Sequence, residues 1–119
     1  MKSTKTSLEA LPADRGSLLS ELVDIAPGAI VSRVLASTTG GTVTLFAFDG
    51  GQGLSEHTAP FDALVHLLDG ELELKIGGVE VLLKPGEIVC MPAHVPHALR
   101  ATLACRMVLT MLREPKNEG

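Results

Sequence analysis

The chain reads as an all-β protein, an antiparallel sandwich or barrel of about eight or nine short strands. Twelve glycines and seven prolines punctuate its 119 residues, placing turn signals at roughly eight-to-twelve-residue intervals. Between the turns, apolar residues alternate with polar ones at a period of two, or form short β-branched runs. No strand–helix–strand alternation, internal repeat or low-complexity segment interrupts that pattern.

Taken in order, the first fifteen residues are polar, and Ser17 to Ile25 is the one stretch with helix-like apolar spacing. Pro27-Gly28 stops it. Residues 1–28 are expected to form an N-terminal arm, helical or irregular, and residues 29–119 the barrel. Ile30 to Ala36 and Thr42 to Phe48 are β-branched strands separated by Thr39-Gly40-Gly41. Asp49 to Gly53 reads as a loop, after which His57 begins a strand. The apolar run Ala63 to Leu68 suits a strand buried on both faces. Glu71 to Ile76 alternates strictly, and Gly77-Gly78 turns it into Val79 to Lys84 as a hairpin. Pro85-Gly86 precedes a strand over Glu87 to Met91, and Pro92 to Pro96 is a loop. His97 to Ala101 and Leu103 to Leu112 complete the sheet, followed by the charged tail Arg113 to Gly119.

Composition narrows the function classes. At 45% hydrophobic and 20% charged residues the chain is too apolar to be disordered, and its length suits one core. No apolar run nears the ~18–20 residues that cross a bilayer, and Met1 to Lys5 leads into no signal core. A soluble, cytoplasmic protein without a membrane partner is expected. The formal net charge is −4, with no basic stripe, and Phe46, Phe48 and Phe61 are the whole aromatic complement. Neither phosphate neutralisation nor base stacking is provided for, so no nucleic-acid partner is expected. Cys90 and Cys105 form neither a disulfide framework nor a zinc ribbon. Phosphate loops, Gly-x-Ser-x-Gly elbows and His-Glu-x-x-His signatures are absent from the sequence.

Two segments carry a resemblance. Gly51, five residues, His57, then Ala59, Ala63 and Gly70 keep the spacing of Gly-x5-His-x-His-x(3,4)-Glu-x6-Gly. Gly86, Pro92, His94, His97 and Ala101 keep that of Gly-x5-Pro-x-Gly-x2-His-x3-Asn. These spacings resemble the two cupin motifs and cover about half of the chain. The resemblance implies a double-stranded β-helix, a jelly-roll barrel of the RmlC-like kind, with its site inside the barrel mouth. In metal-binding members three His and one Glu hold a divalent metal. Here His57 and His97 keep two of those positions, while Ala59 and Ala63 fill the others and cannot donate.

The resemblance makes His57 and His97 the expected metal ligands, with rings meeting in one cavity. As a residue, His57 is open to three readings: a ligand, a general base or a hydrogen-bonded structural group. Transition metals need further donors; these would be water, or Asp62, His94 or Cys105. Strand alternation sets Asp62 on the face opposite Ala63, and His94 stands where the motif has a turn glycine. Cys105, Met107, Leu109 and Met111 share one parity of the last strand. Such a stripe fills cores adaptably; facing the two histidines, its sulfur would favour copper over manganese.

Two functions are open at this point. One is a metal-dependent enzyme acting on a small organic molecule, with a single weakly bound divalent metal (Zn, Fe, Mn, Ni or Cu). The other is a non-catalytic binding or sensing barrel whose apolar pocket is lined by Ala59, Ala63, Val65, Met107 and Met111. A homodimer is expected, paired through a free Ile30–Leu35 edge or through the outward side chains of Leu64, His66 and Leu68.

Overall fold

The computed structural model describes residues 4–8 and 10–114, with side chains from residue 10 onward. Among the described residues eight strands form: β1 (Thr4–Leu8), β2 (Ile30–Thr38), β3 (Gly41–Phe48), β4 (Gly53–His57), β5 (Asp62–Ile76), β6 (Val79–Leu83), β7 (Ile88–Met91) and β8 (His97–Leu112). Every pairing is antiparallel except that of β1 with β2. The expected all-β jelly-roll is the fold observed.

The eight strands form one hydrogen-bonded sheet, and both long strands bend across it so that it faces itself as two smaller sheets. The N-terminal part of β5 pairs with β7 and with the C-terminal part of β8, which continues the row through β3, β2 and β1. The C-terminal part of β5 pairs with β6 and with the N-terminal part of β8, which also carries β4. Between these parts the β5–β8 register shifts repeatedly from Leu67 to Leu72. Bulges of this kind bend strands, so each long strand leaves the open end of the barrel, turns a corner and returns. Gly70 stands at that corner with φ +76, and a Cβ there would lie 2.1 Å from the Ala104 carbonyl oxygen. Glycine alone fits both demands.

The two sheets face each other across one core containing Phe48, Val65, Leu67, Leu72, Leu74 and Cys105, all fully buried. Alternation sends Leu45 and Ala47 to the outer face of the larger sheet, yet both are fully buried as well. Leu19, Leu22, Val23 and Ile25 of the arm cover them.

Several sequence expectations change. The helix over Ser17 to Ile25 is one 3-10 turn, Leu19–Glu21, with no side-chain cap on its first N–H groups. A segment this short has little helical stability of its own, and its apolar residues serve the sheet better as an irregular cover. Within the polar first fifteen residues, Thr4–Leu8 joins β2 in parallel. The Ile30–Leu35 edge is therefore occupied by β1 rather than open to a second chain. On the outer face, half-buried Leu68 packs against the arm's cluster. Strands expected over 63–68 and 71–76 are one bent strand, as are those over 97–101 and 103–112. His57 ends a strand instead of beginning one. No helix among the described residues is long and apolar enough to cross a membrane.

Candidate functional site

His57, the last residue of β4, lies directly opposite His97, the first residue of β8, in the strand register. Directly opposed residues of an antiparallel pair point to the same side. The rings meet edge to face, with centroids 4.3 Å apart and planes at 74°. Their Nε2 atoms are 3.0 Å apart. His97 is buried at 4% exposure, and His57 is exposed at the mouth.

Backbone carbonyls hold both rings from behind. The His57 Nδ1 is 2.8 Å from the Ser55 oxygen, and the His97 Nδ1 is 3.2 Å from the Val95 oxygen. A carbonyl oxygen only accepts, so each of these bonds needs a proton on Nδ1. The Nε2–Nε2 contact needs one more. Three contacts thus require three protons, whereas two neutral imidazoles carry two. The arrangement is completed by one added cation, a proton or a metal ion. Burial holds the His97 imidazole below the usual histidine range; the Val95 carbonyl opposes this, and the neighbouring His57 adds to it. A buried, proton-averse imidazole is a good metal ligand.

The pair opens onto a cavity of about 180 Å³ between the sheets, close to the ~150 Å³ apolar cavity that accommodates benzene. Ala59, Ala63, Met107 and Met111 line it, as the sequence implies. Val65 does not; it is fully buried in the core. Sequence reasoning missed Met91 and Phe61, which also form the wall. Met91 is the cross-strand partner of Ala63, which is paired on its other side with Met111. Only the β5–β7 register reveals that neighbour relation. Phe61 separates the cavity from an outer groove, where the Arg113 guanidinium sits 5.7 Å from its ring centroid.

None of the three further expected donors lies on the cavity wall. Alternation turns Asp62 outward, where its Oδ1 accepts the Ala93 N–H at 2.8 Å. His94 is an exposed turn residue with φ +65, and its N–H donates to the Ala59 carbonyl at 2.7 Å. Asp62 and His94 instead line the outer groove. Cys105 is fully buried in the core, where desolvation, reinforced by Asp69, pushes its thiol up to about 12. Among the described residues no group of three or more His, Cys, Asp or Glu side chains could hold a metal ion. The two Nε2 atoms nevertheless fit a metal. At 3.0 Å apart they can both reach one ion at the usual ~2.0–2.1 Å.

The cupin domain family model matches residues 44–111. A conserved protein of unknown function from Streptococcus pyogenes superposes with a TM-score of 0.85 at 30% identity, over 89% of this chain and 93% of that one. A cupin superfamily protein from Desulfitobacterium hafniense gives 0.83 at 27% identity, over 87% and 95%. A cupin 2 conserved barrel domain protein from Leptotrichia buccalis gives 0.76 at 36% identity, over 79% of this chain and 46% of that one. Comparison with the curated proteins gives no match.

Proposed function

The chain belongs to the cupin domain family, and from that premise we propose that it is a metal-dependent enzyme acting on a small organic molecule. His57 and His97 are the protein ligands of one weakly held transition-metal ion. The observation that carries this reading is the facing Nε2 pair, 3.0 Å apart on the wall of a benzene-sized cavity. When bound, the metal polarises a substrate oxygen or activates water or O2.

The protein's own contribution is positioning and exclusion. The Ser55 and Val95 carbonyls keep each Nδ1 protonated and each Nε2 lone pair aimed at its neighbour. Ala59 and Ala63 leave space and add no charge, while Phe61 and the methionines displace water. His57 is exposed at the mouth, so the pair is reachable by a small molecule from solvent. A non-catalytic binding barrel is the second reading, favoured by the same apolar wall.

Metal analysis of protein purified without chelator or polyhistidine tag, followed by calorimetric titration with Zn(II), Mn(II) and Ni(II), tests the proposal. About one ion per chain is expected, at micromolar affinity or weaker, removed by dialysis and lost in His57→Ala and His97→Ala. Binding of small aromatics with no response to any transition metal would leave the binding-barrel reading alone.

A further inference from the structure

Resting on the two-imidazole metal reading, we propose that the site takes a soft monovalent cation, Cu(I), with the Met91 and Met111 thioethers facing the His57–His97 pair across the cavity.

The sheet register leads to this assignment. Met91 and Met111 are the two cross-strand neighbours of Ala63, so two thioether side chains flank one methyl group in a single row. Ala63 occupies the place where the motif carries its carboxylate. Its small side chain leaves the space between the flanking sulfurs open, and all three residues line the cavity that His57 and His97 line from the other sheet. β8 begins at His97, turns the corner and returns, bringing Met111 back toward the open end from which it started. Met107 forms part of the same wall deeper in the barrel.

Charge and softness then select the ion. Among the described residues the cavity wall carries no Asp or Glu, so an ion there faces their neutral donors alone. The cost of desolvating an ion grows with the square of its charge, making a divalent ion about fourfold costlier than a monovalent one of similar size. Thioether sulfur with imidazole nitrogen suits Cu(I), whereas hard divalent ions prefer the oxygen donors this wall lacks.

The test is anaerobic titration with Cu(I) against a chromophoric Cu(I) chelator, alongside Zn(II), on wild type, Met91→Leu, Met111→Leu and the double variant. Leu for Met nearly conserves volume. One Cu(I) per chain is expected, held at least tenfold more weakly in each variant, with zinc affinity unchanged. X-ray absorption of the copper protein should show sulfur as well as nitrogen neighbours. Selenomethionine-labelled wild type, which needs no substitution, should show copper adjacent to selenium. Unchanged Cu(I) affinity in the double variant with no selenium–copper contact would overturn the thioether assignment and leave the two-imidazole reading standing. Zinc bound without Cu(I) would do the same. Neither ion bound, or both bound equally well by His57→Ala and His97→Ala, would overturn the reading beneath it.

Discussion

Cys90 and Cys105 illustrate how far position sets the chemistry of one residue type. Cys90 is exposed on β7, while Cys105 is buried in the core beside Asp69, its thiol pushed up to about 12. Only the thiolate is a nucleophile. Iodoacetamide at pH 8 should therefore modify Cys90 in the folded protein and reach Cys105 only on unfolding, as mass spectrometry of native and denatured samples will show. Linkage adds a sign. Above the ordinary thiol value of 9.0 the unfolded chain releases the Cys105 proton while the folded chain keeps it. The unfolded state then binds fewer protons, so stability falls as pH rises from there toward about 12. Denaturant titrations at pH 8 and 10 should show a steeper loss in wild type than in Cys105→Ala; equal slopes would refute the assignment. Tertiary contact also recasts His94 and Asp62, which sequence spacing offers as donors. The first adopts φ +65 in a turn, and the second accepts a loop N–H.

Corners and covers decide stability at the level of elements. Gly70→Ala would drive a Cβ to 2.1 Å from the Ala104 oxygen at φ +76, with backbone rather than a flexible side chain in its way. The expected loss is about 2–4 kcal/mol, combining left-handed strain with overpacking. Urea unfolding will measure it, and a loss below half a kilocalorie would show that the corner is not constrained. The arm is tied down by Arg106, whose Nε donates to the Val23 carbonyl at 3.0 Å and whose guanidinium pairs with Asp69 at 3.0 Å. Arg106→Ala breaks both and should cost about 1–3 kcal/mol, discounted toward the lower value because Asp69 remains 40% exposed. Faster hydrogen exchange confined to residues 19–25 and to the outer face of β3 would accompany it. Uniformly faster exchange would instead point to global destabilisation.

For the whole molecule the open question is how its remaining edges and patches are covered. Among the described residues β1, β4, β6 and β7 are each paired on one side only, and of these β6 and β7 flank β5. Val79 and Leu82 on β6 and Ile88 on β7 are exposed at 63%, 48% and 59%. Unpaired edges bearing apolar side chains favour association, and two-fold pairing is its commonest form. We expect a homodimer by sedimentation at micromolar concentration, shifted toward monomer by Ile88→Glu. A monomeric wild type would remove the dimer, and a dimer indifferent to Ile88→Glu would remove this surface.

The sequence alone determined the fold class. Period-two alternation and glycine–proline punctuation are local signals that act through backbone sterics, so strands over 30–36, 42–48 and 79–83 were legible without knowledge of their partners. The resemblance of two segments to the cupin motifs implied that His57 and His97 meet, and the strand register sets them opposite each other. Tertiary structure decided whatever depends on which strand lies beside which. The β5–β7 and β5–β8 registers set Met91 and Met111 on either side of Ala63, and the shared β5–β8 corner joined four expected strands into two. The arm became a cover instead of a helix because the outer face offered Leu45 and Ala47 to bury. Cross-strand register and burial are sums over contacts distant in the chain, and no local window of sequence contains them.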